Sequence, residues 1–115
     1  MAICTFFGHR DCPETIKPKL REVLVDLITN HDVDMFYVGH QGQFDAYVHS
    51  ELKKLKQEYP QINYAISWRN NWMLKQSDYV VTYIAHSYGG AAQYARKAKK
   101  QFKKVIDLIN EGQLE

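Results

Sequence analysis

The sequence predicts an α/β fold with a mostly parallel sheet. Short runs rich in β-branched and aromatic residues alternate with longer amphipathic runs, the pattern of consecutive strand–helix units. Glycine- or proline-containing turns separate several of these runs. The length of 115 residues, with 45% hydrophobic and 24% charged residues, suits one domain built on one continuous fold. We therefore expect residues 1–115 to form a single domain.

The N-terminal half is predicted to contain two strand–helix units. Residues 3–7 form the first strand, which ends at Gly8; Thr15 then caps a helix that starts near Ile16 and has Pro18 in its first turn. Residues 35–38 form the second strand, and the second helix ends at Pro60. The apolar faces of the two helices follow helical spacing: Leu20, Val23, Leu24, Leu27 and Ile28 in the first, and Phe44, Val48, Leu52, Leu55 and Tyr59 in the second.

The C-terminal half continues the alternation. Residues 62–66 are predicted to form the third strand, and Ser67 to cap a short helix over residues 68–76. Residues 79–85 form the fourth strand, residues 86–90 its exit loop, and residues 104–109 a fifth strand or the start of a terminal helix. The inner face of the fourth helix is predicted to comprise Ala91, Ala92, Tyr94, Ala95, Ala98 and Phe102.

Chain topology brings distant loops of this fold together. Right-handed crossovers with the sheet order 3-2-1-4-5 place strands 2, 1 and 4 side by side. The result is a Rossmann-like three-layer sandwich around a mostly parallel five-stranded sheet. In such sheets ligands bind at the carboxyl edge of the strands, where the chain reverses its winding direction. The loops after strands 1, 2 and 4 should therefore form the walls of one crevice.

The residue types in these loops favour an anionic ligand. Glycines allow the close approach of a ligand, and the free N–H groups at the start of each following helix attract a phosphate or carboxylate. The Gly89-Gly90 pair is the best candidate for a phosphate site, and Arg10 and Arg69 can form bidentate pairs with phosphate. The predicted ligand-binding residues are Gly8, His9, Arg10, Gly39, His40, Gly42, Asp45, Arg69, His86, Gly89 and Gly90.

Asp45 is the candidate catalytic residue. At the first turn of the second helix it can accept a hydrogen bond from a ribose hydroxyl, act as a general base, or simply complement the helix dipole. Three loop histidines raise the alternative of zinc, but no acid or thiol completes such a site, and we expect no metal and no cofactor. Nearby aromatic residues can flank a nucleobase or belong to the core: Phe44, Trp68, Trp72 and Tyr88.

Composition limits the other classes of function. Fifteen basic against thirteen acidic residues is too even a balance to indicate nucleic-acid binding by bulk charge. Two cysteines suit reduced thiols, and neither a signal-peptide pattern nor an apolar run of about 18 residues is present, so we expect a cytoplasmic protein with no membrane association. A basic stretch on the fourth helix is either a solvated face or a nucleic-acid surface: Arg96, Lys97, Lys99, Lys100, Lys103 and Lys104.

Four segments of the chain resemble the SLOG superfamily, the Rossmann-like nucleotide-ligand group that includes the LOG, DprA and YpsA types. They are TFFGHRD (5–11), GHQGQFDAYV (39–48), SDYVVTYIAHSYGGAAQYA (77–95) and RNNWML (69–74), the last similar to bacterial and phage-type members. The resemblance covers nearly the whole chain and implies a nucleotide pocket lined by Gly8, Arg10, Gly42, Asp45, Arg69, Gly89 and Gly90.

Two departures from this group bear on function. LOG enzymes carry a Pro-Gly-Gly-x-Gly-Thr loop and a glutamate in the next helix, whereas residues 88–93 here are Tyr-Gly-Gly-Ala-Ala-Gln. The stretch between the third strand and the next helix, at residues 66–68, is also shorter than the group pattern. The leading hypothesis is therefore binding or sensing of a nucleotide or nucleotide-derived small molecule by a homodimer. The alternatives are an N-glycoside hydrolase that acts on a nucleoside 5′-monophosphate through Asp45, and a nucleic-acid interaction module that uses the fourth helix.

Overall fold

The computed structural model describes residues 1–110 and 113–114, and within them one sheet has the strand order β3-β2-β1-β4-β5-β6. The first five strands are parallel, in the predicted order 3-2-1-4-5, which confirms the fold class. A short sixth strand, not predicted, pairs antiparallel with β5. The strands are β1 (Ala2–Gly8), β2 (Val33–Val38), β3 (Asn63–Ile66), β4 (Tyr79–Tyr83), β5 (Lys104–Asp107) and β6 (Gln113–Leu114).

Four α-helices cover the two faces of this sheet within the described residues: α1 (Lys17–Asn30), α2 (Gln43–Glu58), α3 (Asn70–Gln76) and α4 (Gly90–Lys100). Successive side chains of β1 point to opposite faces, as the pleat of a strand requires. Phe6 packs with the buried residues of α1 and α2, whereas Phe7 packs with those of α3 and α4. The sheet therefore lies between two apolar cores and forms the middle layer of the predicted sandwich.

Two predicted helix caps are wrong. A short 3-10 helix, Glu14–Ile16, precedes α1, so Thr15 already lies inside a helical turn and makes no cap. Pro18 does lie in the first turn of α1, as predicted. The Ser67 hydroxyl accepts a hydrogen bond from the Arg69 N–H at 3.0 Å, but α3 begins only at Asn70. Ser67 therefore stabilises the turn before the helix.

The prediction that Phe102 lies on the inner face of α4 is also wrong. Phe102 has φ +59° and its side chain is 93% exposed. Its N–H donates to the Lys99 carbonyl at 3.1 Å and the Lys103 N–H donates to the Ala98 carbonyl at 3.0 Å, the two bonds of a Schellman helix end. The reversal turns Phe102 outward, and residues 104–107 then form the strand β5 rather than a continuing helix.

The described part of the chain contains no helix with the length and apolar character needed to cross a membrane.

Candidate functional site

A crevice of three adjoining cavities follows the carboxyl edge of β2, β1 and β4. The loop cavity, about 320 Å³, is lined by Gly8, His9, Arg10, Asp11, Gln41, His86, Tyr88, Gly89, Gly90 and Ala91. The central cavity, about 90 Å³, is lined by Phe6, Phe7, Gly8, Gly39, Gln41, Asp45, Asn70, Gly90, Ala91 and Tyr94. The α2 cavity, about 220 Å³, is lined by Gly39, His40, Gly42, Asp45, Ala46, His49 and Ile66. The central cavity shares lining residues with each of the other two, so the three cavities are neighbours along this edge.

Close packing requires glycine at two positions, one at the end of β1 and one in the loop after β2. A Cβ on Gly8 would lie 2.3 Å from Cδ2 of Phe44, a fully buried residue in the first turn of α2. Gly42 has φ +127°, and a Cβ there would lie 2.7 Å from the Arg10 Cα. The Gln43 N–H also donates to the Arg10 carbonyl at 2.9 Å. These contacts fix the β1–α1 loop, which carries Arg10, against the start of α2.

The N-terminus of α4 has free hydrogen-bond donors at the junction of two cavities. Gly89, with φ +95°, precedes the helix and supplies no side-chain cap. The first intrahelical bond runs from the Gln93 N–H to the Gly89 carbonyl at 3.1 Å. Within residues 1–110 and 113–114, the N–H groups of Gly90, Ala91 and Ala92 have no acceptor. These donors and the positive end of the helix dipole suit an anion.

Three aromatic rings stack in a column beside this helix end, and we call them the ring column: His9, His86 and Tyr88. The ring centroids of His9 and His86 are 3.6 Å apart, and those of His86 and Tyr88 are 3.8 Å apart, with interplanar angles of 19° and 15°. His9 is buried and Tyr88 is exposed. The column therefore extends from the interior of the crevice to its mouth.

Hydrogen bonds determine which nitrogens of the two histidines carry protons. The His86 backbone N–H donates to Nε2 of His9 at 3.3 Å, so that nitrogen is unprotonated. His86 Nδ1 lies 3.0 Å from the Tyr88 carbonyl oxygen, which can only accept, so Nδ1 carries the proton. Burial, together with the nearby His86, lowers the pKa of His9 from its ordinary value. His9 therefore holds the loop as a neutral acceptor rather than attracting an anion as a cation.

Asp45 lies between the central and α2 cavities, in the first turn of α2 as predicted. Its Oδ2 accepts a hydrogen bond from the Gln41 N–H at 2.9 Å. Burial raises the pKa of Asp45, and the Gln41 N–H and the nearby His40 offset this only in part. A Cβ on Gly39 would lie 2.8 Å from Oδ2, so the small residue makes room for the carboxylate.

We expect Asp45→Asn to raise the free energy of unfolding at pH 7 by less than about 1 kcal/mol. The folded-state pKa of Asp45 lies above its ordinary value, so ionisation of this carboxyl costs stability as the pH rises. Asparagine cannot ionise, and its side-chain oxygen can still accept from the Gln41 N–H. The gain should shrink as the pH falls toward about 4, where aspartate ordinarily titrates. Urea unfolding at several pH values measures the difference.

Glu14→Gln, at an exposed carboxyl on the 3-10 helix, is the matched control and should change stability little at any pH. An Asp45→Asn protein that becomes progressively less stable than wild type as the pH rises above about 4 would show that the ionised carboxylate stabilises the fold.

The crevice brings together all of the predicted ligand-binding residues except Arg69. The Arg69 guanidinium carbon lies 5.2 Å from the ring centroid of Trp72, outside the described lining of the three cavities. The three loop histidines do not meet at one point, because His9 stacks on His86 whereas the ring of His40 contacts Trp68, with centroids 6.0 Å apart. Among the described residues, no group of three His, Cys, Asp or Glu side chains could hold a metal ion.

The sequence did not predict several residues that line the central cavity, above all Asn70 and Tyr94. Tyr94 also stacks on Phe7, with ring centroids 4.9 Å apart, and so contributes both to the core and to the cavity wall. Its position four residues after Gly90, one helical turn along α4, is the signal that could have identified it. Asn70 is the first residue of α3, so its place in the cavity depends on where that helix begins.

Several basic residues near α4 have local partners. The Arg96 guanidinium donates to the Ser87 carbonyl at 2.9 Å, and Lys103 Nζ donates to the Lys75 carbonyl at 3.3 Å. Lys97 Nζ lies 3.3 Å from Asn71 Oδ1 and 4.9 Å from the ring centroid of Tyr94. These contacts are typical of a solvated helix face whose basic side chains also stabilise the neighbouring loops. Nucleic-acid binding by this helix stays a prediction.

A comparison with solved structures supports the fold. The X-ray structure of DNA processing protein A (DprA) from Streptococcus pneumoniae superposes with a TM-score of 0.68 and 12% sequence identity over 93% of this chain. This chain spans about half of that protein, with 50% of it covered. No protein-family model and no curated protein matches the sequence. At this identity the likeness shows a shared Rossmann-like fold alone.

Proposed function

We propose that this protein binds a nucleotide or nucleotide-derived small molecule in the crevice at the carboxyl edge of the sheet, with the phosphate at the N-terminus of α4. The observation that carries the proposal is the set of free N–H groups at Gly90, Ala91 and Ala92, of which Gly90 and Ala91 line both the loop and the central cavity. An anion is the ligand that such a helix end favours most.

Of the charged residues Arg10 and Asp11, which line the loop cavity, Arg10 supports a phosphate in particular. Arg10 is an exposed residue that lines the same cavity as the start of α4, and its guanidinium can pair with two phosphate oxygens. The β1–α1 loop that carries it is fixed by its contacts with Gly42 and Gln43. A residue on a fixed loop loses less conformational entropy when it binds than one on a mobile loop.

The remaining length of the crevice supports a ligand larger than phosphate. Beyond α4 the central cavity offers the Asp45 carboxylate and the side chains of Gln41 and Asn70, which can bond to sugar hydroxyls. The α2 cavity adds about 220 Å³ of further space. A phosphate joined to a sugar and a base makes fuller use of these groups than inorganic phosphate does.

Membership of the SLOG superfamily is part of this proposal. The observed fold is the one that the resemblance implies, and the DprA structure named above shares it. The GHQGQFD segment supplies the β2–α2 loop with Asp45, and the SYGGAA segment supplies the start of α4. Both segments lie at the crevice, which supports the narrower assignment.

Calorimetric titration with nucleoside monophosphates and ADP-ribose tests the proposal. We expect at least one of them to bind to wild-type protein, and Arg10→Ala to weaken that binding about tenfold through loss of a charge-assisted pair with phosphate. Arg21→Ala is the matched control, because Arg21 pairs with Glu58 on the surface between α1 and α2. If the folded protein binds none of these ligands, or if the two variants behave alike, the proposal is wrong.

The environment of Asp45 favours a second candidate function, hydrolysis of the N-glycosidic bond of a nucleoside 5′-monophosphate. Its partly buried carboxyl, whose pKa is raised by burial, is suited to exchange a proton with a ligand in the crevice. Water would replace the base at the sugar carbon, and the products would be free base and ribose 5-phosphate. Chromatographic detection of free base that disappears with Asp45→Asn would support an enzyme, whereas binding without base release would identify a pure binder.

A further inference from the structure

The outer face of the Tyr88 ring is an exposed aromatic surface at the mouth of the loop cavity. Tyr88 forms the last ring of the column and has a relative exposure of 71%, whereas His9 at the inner end has 7%. One face of the Tyr88 ring is covered by His86. The side chain therefore exposes aromatic surface on a residue that also lines the cavity.

The column holds the Tyr88 ring in a defined position. His86 is fixed by its backbone bond to His9 and by the bond from its Nδ1 to the Tyr88 carbonyl. His9 is itself buried between the loop and Tyr83, whose ring centroid lies 6.5 Å away. An aromatic ring that is already ordered loses little conformational entropy when another ring stacks on it.

The ring is also close in sequence to the proposed phosphate site. Tyr88 directly precedes Gly89, and the free N–H groups begin at Gly90. A molecule with a phosphate on these N–H groups can therefore reach the ring within the same cavity. We infer that Tyr88 is a stacking platform for the base of the bound nucleotide and makes the site selective for base-containing phosphates. This inference rests on the proposed function.

Trp68 is the rival platform. Its indole is 68% exposed and contacts the ring of His40 edge-on, with centroids 6.0 Å apart. Among the described residues, however, Trp68 is not part of the lining of any of the three cavities, whereas Tyr88 lines the cavity that contains the start of α4. Tyr88 is therefore the better placed of the two for a base whose phosphate is held by α4.

Two ligands that differ only in the base test this inference: AMP and ribose 5-phosphate. We expect Tyr88→Ala to weaken AMP binding about tenfold, as loss of one base–aromatic stack does, and to change ribose 5-phosphate binding less than about twofold. Tyr88→Phe keeps the ring and should bind AMP like the wild type. Trp68→Ala is the matched control and should leave both affinities unchanged. Calorimetry gives the affinities, and thermal unfolding checks that each variant folds.

The outcomes separate the platform from the proposed function. If ribose 5-phosphate binds and AMP binds no more tightly, or if Tyr88→Ala weakens the binding of both ligands equally, the inferred stacking role of Tyr88 is wrong. The proposed phosphate site at α4 is not affected by either result. The platform is equally wrong if Trp68→Ala, and not Tyr88→Ala, removes the preference for AMP. If the folded wild-type protein binds neither of these two ligands, nor any other nucleoside monophosphate or ADP-ribose, the proposed function is overturned and the platform with it.

Discussion

Replacing Gly90 by valine is expected to weaken nucleotide binding by about 100-fold or more, equivalent to about 2.7 kcal/mol, with little change in stability. Gly90 is the first residue of α4 and borders both the loop and central cavities. A Cβ at this position would have no atom within 4 Å, so a side chain extends into open space. The isopropyl group would occupy space that the ligand needs and shield the free N–H groups.

The fold should tolerate this substitution. The backbone of Gly90 lies outside the left-handed region, and valine is about as acceptable as glycine in a helix. Gln93→Val is the matched control, because it places the same side chain on an exposed position of the same helix, outside the described cavity walls. Calorimetry on both variants measures the effect. Equal affinities for Gly90→Val and wild type would mean that the ligand does not approach the start of α4.

The largest expected effect on stability is that of Gly8→Ala, a loss of about 3 kcal/mol in the free energy of unfolding. Three ring atoms of Phe44 would lie 2.3, 2.4 and 2.8 Å from the new Cβ. Phe44 is fully buried among the residues between the sheet and α1 and α2, so its ring has little room to move. Overpacking of this kind typically costs 1 to 3 kcal/mol, and a contact this short falls at the upper end.

Denaturant unfolding of Gly8→Ala measures this loss, and the double variant Gly8→Ala/Phe44→Leu tests its cause. Because leucine is smaller than phenylalanine, the two changes should be less destabilising together than the sum of their separate effects. Gly90→Ala adds the same methyl group where space is free and should cost almost nothing. Strict additivity of Gly8→Ala and Phe44→Leu would show that the end of β1 does not pack on this ring.

The fold could be predicted because the spacing of apolar residues, the turn residues and the rules of chain topology all indicate the same α/β architecture. The spacing of apolar residues such as Leu20, Val23 and Leu24 identifies the helices, and right-handed strand–helix–strand units are compatible with only a few strand orders, among them the observed one. That order alone gathers Gly8, Asp45 and Gly90 at one edge of the sheet. The predicted crevice thus follows from topology and needs no knowledge of side-chain conformation.

Side-chain contacts were beyond sequence reasoning. The stacking of His9 on His86 joins loops 77 residues apart, and the direction taken by Arg69 depends on its contact with Trp72. No periodic pattern in the sequence indicates either the contact of His9 with His86 or that of Arg69 with Trp72. The Schellman end of α4, with Phe102 in the left-handed position usually taken by glycine, likewise has no local signal. The homodimer and the cytoplasmic location stay predictions, since both depend on surfaces or surroundings outside the single chain.

Backbone amide chemical shifts recorded during an AMP titration test the central claim most directly. We expect the largest shifts at Gly90, Ala91 and Ala92, whose N–H groups would gain phosphate oxygens as acceptors, with smaller shifts at Arg10 and Gln41. Asp32 and Asp78, at the opposite edge of the sheet, should not shift. Saturable shifts confined to that opposite edge, or no shift in the folded protein at millimolar AMP, would contradict a nucleotide site at α4.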